Sequence, residues 1–86
     1  MRIIDTFTGP AGSGKTTKLR RVAAAARNNG QTALEIVASE IYKSELERLI
    51  REVKPDVLLL DEWSPACGWR PEDLVGPDTV QVYYAA

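Results

Sequence analysis

Two spacings of apolar residues alternate along the chain. Residues 2–8, RIIDTFT, are rich in Ile, Thr and Phe, which favour extended structure, and read as a strand. A glycine-rich loop follows from Gly9 to Gly14. From about Lys15 to Asn28 the spacing changes: Leu19, Val22, Ala23 and Ala26 fall at i, i+3, i+4 and i+7, one stripe of a helix, and Gly30 is its natural stop. Thr32 to Val37 reads as a second strand. A second helix carries Leu46, Leu49, Ile50 and Val53 on the same kind of stripe, and Pro55 ends it. Ser39 or Ser44 is its cap, and Ser44-x-x-Glu47 has the form of a capping box. Val57 to Leu60 is four large apolar residues in a row, too short for a helix and suited to a strand covered on both faces. Residues 61–78 are loop-like, punctuated by Pro65, Gly68, Pro71, Gly76 and Pro77, with one helical turn expected from Pro71 to Leu74. Thr79 to Tyr84 is the last strand. The order β-α-β-α-β-loop-β argues an α/β fold, an open parallel sheet of about four strands with a helix on each face.

Length and composition narrow the function. The 86 residues make one small domain, 1–86, and 44% apolar with 27% charged residues is ordinary for a globular fold. The longest apolar stretch, Val22 to Ala26, is far short of the ~20 residues that span a bilayer, and the N-terminal segment has no apolar core of signal-peptide length. No membrane is expected as a partner, and a cytoplasmic location is the expectation. One cysteine, Cys67, rules out an intrachain disulfide. The absence of histidine rules out a zinc cluster and histidine acid–base chemistry. Net charge is −1, but its distribution is uneven. Lys15, Lys18, Arg20, Arg21 and Arg27 form an acid-free stretch, whereas Asp56 to Asp78 holds six acids against Arg70 alone. The basic run reads as the solvated face of a helix, since a nucleic-acid footprint calls for more charge and a clearer stripe.

Residues 9–16, Gly9-Pro10-Ala11-Gly12-Ser13-Gly14-Lys15-Thr16, fit G-x-x-x-x-G-K-[ST] between a strand and a helix. The glycines let successive N–H groups turn inward as an anion nest, and the helix starting near Lys15 adds its partial positive charge there. Lys15 reaches the β- and γ-phosphates of a nucleotide, and the Thr16 hydroxyl is placed for Mg²⁺. At average composition the four fixed positions match by chance in roughly 0.3% of chains this long, so an ordinary glycine turn is the poorer reading. The second motif is Val57-Leu58-Leu59-Leu60-Asp61-Glu62. A buried strand ending in Asp-Glu delivers two carboxylates to the edge where open α/β sheets bind ligands. Asp61 is expected to hold Mg²⁺ from its outer coordination sphere, and Glu62 to polarise a water for attack on the γ-phosphate.

These two segments, with Thr17 completing the first, resemble the Walker A and Walker B motifs of P-loop NTPases. The adjacent Glu62 resembles the additional-strand, catalytic-glutamate division, which includes AAA+ ATPases, RecA-like proteins and helicases. The resemblance implies a three-layer sheet of order 1-4-3-2, ATP or a related NTP as ligand, Mg²⁺ as cofactor, nucleotide contacts from Gly9 to Thr17, metal contacts from Thr16 and Asp61, and catalytic roles for Lys15 and Glu62. Identity is confined to about fifteen residues of a chain shorter than is usual in the division. Three features depart from the pattern. Within these 86 residues no fifth strand and no lid segment are expected, and Tyr83-Tyr84-Ala85-Ala86 stands where a polar sensor residue is expected. No Asn-Lys-x-Asp guanine-reading motif occurs.

Three functions compete on these residues: a Mg²⁺-dependent ATPase, a nucleotide-binding interaction module with little or no hydrolysis, and a small phosphotransferase. Trp63 and Trp69 read as cover for a thin core or as a stacking surface for a base or partner, and Cys67 between them as an inert thiol. Arg70 pairs with Glu72 or Asp73, or reaches a neighbouring subunit's nucleotide. Asp5 is costly in a buried strand but suits an edge, where it guards against stray pairing. Self-association or a protein partner is expected through the first-strand edge or the Trp63–Arg70 loop.

Overall fold

The computed structural model describes all residues from Met1 to Ala86. Strands β1 (Arg2–Phe7), β2 (Ala33–Val37), β3 (Val57–Asp61) and β4 (Gln81–Ala85) form one sheet in the order β1-β4-β3-β2, every neighbouring pair parallel. Helix α1 (Lys15–Asn28) connects β1 to β2, and α2 (Lys43–Val53) connects β2 to β3.

β3 is the centre of this arrangement. Val57, Leu58, Leu59 and Leu60 are all buried, and they alternate between two cores. Val57 and Leu59 meet Leu19, Ala23 and Ala26 of α1, while Leu58 and Leu60 meet Leu46 and Ile50 of α2. Each side chain gains about 1.5–3 kcal/mol on burial, so covering both faces is the largest favourable term available to so short a chain. The stripe foreseen on α1 holds, with Val22 at its margin. On α2, Val53 is left exposed, because the helix ends there: Lys54 turns left-handed at φ 53° and buried Pro55 follows.

Element ends shift for identifiable reasons. α2 begins at Lys43 with Tyr42 at its N-cap, and neither Ser39 nor Ser44 caps it. Ser39 lies in a 3₁₀ turn, Ala38–Glu40. Glu47 therefore makes no capping box; it accepts a hydrogen bond from the Val75 N–H at 2.7 Å and pairs with Lys43 at 3.1 Å, tying α2 to the loop before β4. Thr32 falls outside β2 because Asp56 captures it, its N–H donating to Asp56 Oδ2 at 2.9 Å. β4 starts late because Val80 N–H closes a turn on the Pro77 carbonyl. The 3₁₀ turn Pro71–Asp73, with proline at its start, is the turn anticipated after Arg70.

β1 is an edge strand with a bulge between Ile3 and Asp5. Strict alternation would put Ile3, Asp5 and Phe7 on one face. The extra residue, Ile4, breaks that register: Ile3 packs in the α2-side core, Phe7 in the α1-side core, and Asp5 stays exposed.

The Glu47 tie makes stability depend on pH. The Val75 N–H holds the Glu47 carboxyl below its ordinary value of 4.5, against the opposing effect of burial, with Lys43 and Arg51 helping. A depressed folded-state value means the contribution is complete above pH 4.5 and is lost as pH falls through the folded-state value. Glu47→Gln should flatten that part of the curve of urea midpoint against pH. An unchanged slope below pH 4.5 would show that the tie contributes nothing.

Candidate functional site

β1 hands the chain to the glycine loop at the carboxyl end of the sheet. Gly9 sits at φ 142°, a backbone conformation that favours glycine, and a Cβ there would lie 2.9 Å from Ser13 Oγ, which would have to shift. The Ser13 N–H closes a turn on the Pro10 carbonyl at 3.1 Å. Gly14, left-handed at φ 84°, is the N-cap of α1, and no side chain caps the helix. The first N–H groups of α1 are thus left without a capping partner at the positive end of the helix dipole.

The ammonium of Lys15, first residue of α1, donates to the Gly9 main-chain oxygen at 2.6 Å and to that of Ala86 at 2.7 Å. It therefore bridges the loop and the end of β4. The Thr16 hydroxyl donates to Asp61 Oδ2 at 2.7 Å, bringing together residues 45 positions apart. Asp61 Oδ1 accepts from the Glu62 N–H at 2.9 Å. Glu62 follows at φ 54°, a left-handed conformation that costs a non-glycine residue about 1–2 kcal/mol. The next N–H, of Trp63, donates to the Ala85 carbonyl at 3.0 Å.

A cleft of about 450 Å³ opens between these groups. Ala11, Gly12, Gly14, Lys15 and Thr16 line one side, Asp61 and Glu62 another, and Ala85 and Ala86 the rest. A smaller crevice of about 130 Å³ shares Thr16 and Asp61 and runs towards Leu19, Arg20 and Val37. Of the loop residues singled out in sequence, Gly9, Pro10, Ser13 and Thr17 do not line the cleft; the first three shape its loop and Thr17 is exposed on the first turn of α1. Two contributors escaped sequence reasoning, the main-chain oxygens of Ala85 and Ala86. They left no signal, because any residue type offers the same oxygen.

The donor set suits one class of cation. Thr16 and Asp61 present hard oxygen atoms, and no cluster of three or more His, Cys, Asp or Glu side chains exists anywhere in the chain. A cation held here would take few ligands from protein and the rest from water or phosphate, as Mg²⁺ does.

The loop after Glu62 divides its aromatic residues. Trp69 is buried, and Trp63 is half-buried, its indole N–H donating to the Trp69 carbonyl at 2.9 Å. Cys67 is half-buried with its thiol 3.6 Å from the Ala38 carbonyl. Arg70 lies 3.9 Å from Glu72 and 3.7 Å from Asp73, within its own loop. No helix is long and apolar enough to cross a membrane.

The model of the ATPase family associated with various cellular activities (AAA) matches residues 6–81, from the end of β1 into β4. No curated protein and no solved structure matches the chain. With the match covering most of its length, and with a parallel sheet of order 1-4-3-2, the chain belongs to the AAA family of P-loop NTPases.

Proposed function

We propose that this chain binds Mg-ATP at the cleft between the glycine loop and the end of β3, and hydrolyses its γ-phosphate with Glu62 as the group that activates water. Family membership carries nucleotide binding and an ATPase-like role at the level of the family. The observation that supports the finer reading is the Thr16–Asp61 hydrogen bond. It joins the helix behind the phosphate loop to the strand that ends in two carboxylates, beside the Lys15 ammonium.

Each residue has a role in this reading. The N–H groups of the loop and of the first turn of α1 receive phosphate oxygens. Lys15 exchanges one or both of its main-chain partners for the β- and γ-phosphates. Thr16 and Asp61 would hold Mg²⁺, which would supply neutralisation of the phosphate charge. Glu62 makes no hydrogen bond through its carboxylate, which leaves that group free to accept a proton from water.

One observation favours a slower second reading, a nucleotide-binding module with little hydrolysis. Ala85 of β4 and the adjoining Ala86 line the cleft without a polar side chain, and Arg70 pairs within its own loop. Phosphate release from Mg-ATP, measured on the protein alone and with candidate hydroxyl acceptors, separates these readings from a phosphotransferase.

Two sets of variants follow. Lys15→Ala removes a charge-assisted contact worth about 1.5–3 kcal/mol and should weaken ATP binding by roughly 10- to 100-fold with the circular dichroism spectrum unchanged. Unaltered affinity by calorimetry would refute the phosphate-loop reading. Glu62→Gln should keep Mg-ATP binding while turnover falls by ~100-fold or more. Asp61→Asn should instead weaken the dependence of ATP binding on Mg²⁺. Undiminished turnover in Glu62→Gln would leave the binding-module reading standing.

A further inference from the structure

We propose that Trp63 is the positioning residue for Glu62, holding the Glu62 carboxylate towards the cleft by anchoring the peptide that follows it. The inference rests on the hydrolytic reading above.

Glu62 is one of only two non-glycine residues with positive φ, and the other, Lys54, ends a helix. An L-residue held at φ 54° returns to negative φ unless its surroundings prevent it, and that return would redirect its Cα–Cβ bond. Two peptide planes fix the Glu62 side-chain direction. The plane before it is held by the Glu62 N–H on Asp61 Oδ1 at 2.9 Å. The plane after it is held by the Trp63 N–H on the Ala85 carbonyl at 3.0 Å. The second bond is as firm as the position of Trp63, and that side chain is itself clamped twice. Its indole N–H donates to the carbonyl of buried Trp69 at 2.9 Å, and its ring meets Tyr84 of β4 edge-on, 5.5 Å between centroids at 74°. Trp63 does not line the cleft and touches no reacting group, so its effect on chemistry passes through Glu62.

The test compares Trp63→Ala and Trp63→Phe in wild-type and Glu62→Gln proteins, by steady-state and single-turnover ATP hydrolysis together with Mg-ATP affinity. Displacing a catalytic group by about an ångström costs up to ~100-fold, so Trp63→Ala should lower kcat by roughly 10- to 100-fold. Mg-ATP affinity should stay within about 3-fold, because the substitution leaves the glycine loop, Lys15, Thr16 and Asp61 in place. In the Glu62→Gln background the same substitution should change the residual rate by less than about 2-fold, since the group it positions is already disabled. Trp63→Phe keeps a ring for Tyr84 and loses only the indole N–H, so its loss should be smaller, roughly 3- to 10-fold, and likewise confined to protein carrying Glu62. It carries the test if Trp63→Ala does not fold. Equal losses in both backgrounds, a loss matched by weakened Mg-ATP binding, or no loss in either variant would overturn the proposal. A wild-type rate no higher than that of Glu62→Gln would overturn the hydrolytic reading and this inference together. A Glu62-dependent rate that survives both Trp63 substitutions would overturn this inference alone.

Discussion

Four apolar side chains in a row can be buried only if both faces of their strand are covered, and this constraint on Val57 to Leu60 organises the molecule. Neither helix alone would suffice: α1 takes Val57 and Leu59, α2 takes Leu58 and Leu60. With both faces and both edges of β3 occupied, the strand has nowhere to carry chemistry except its end. There the chain turns polar within one residue, and Asp61 and Glu62 emerge at the same sheet edge as the loop after β1. Parallel connectivity makes this unavoidable, because all four strands run in one direction and deliver their carboxyl ends to one side.

Much of this is legible in the amino-acid sequence. The two helices, the fully buried strand and the glycine loop follow from spacing and composition, and those are properties of short segments. The order 1-4-3-2 came from resemblance and not from periodicity, since no local pattern says which strands become neighbours. What stayed illegible shares one physical cause, competition from partners distant in sequence. Ser44 and Glu47 have the form of a capping box, yet Val75, 28 positions away, supplies Glu47 with its N–H. Thr32 looks like a strand residue until Asp56, 24 positions on, binds its N–H.

The site shows the same division. Gly9, Gly14, Lys15 and Thr16 stand out in the sequence because the motif they form depends on residue type at fixed spacing. The Thr16–Asp61 contact was foreseeable only as a shared duty towards a cation; the structure makes it a direct hydrogen bond. The Ala85 and Ala86 oxygens, which hold Trp63 and Lys15, are main-chain atoms and carry no sequence signature. Where a polar sensor residue is expected, at the end of β4, the segment contributes backbone oxygens to the site.

The edge at β1 shows how a small sheet meets two demands with one irregularity. β1 supplies an apolar residue to each core, although only β4 flanks it in the sheet. A regular strand with this sequence would send Ile3, Asp5 and Phe7 to one side, so that β1 could not give both Ile3 to one core and Phe7 to the other. The bulge at Ile4 divides them, giving Ile3 to one core and Phe7 to the other, where its ring lies 6.5 Å from Tyr83 and Lys18 sits over its face. The same bulge twists the free edge and leaves Asp5 exposed beside it, and both features oppose the addition of another strand. The register that results places Phe7 opposite Ala85, so that the Ala86 N–H donates to the Phe7 carbonyl at 3.0 Å. The end of β4 is thereby fixed beside the start of the glycine loop, and the Ala86 oxygen comes within reach of Lys15. A defect in the pairing of the first strand is in this way part of what aligns the last strand with the lysine.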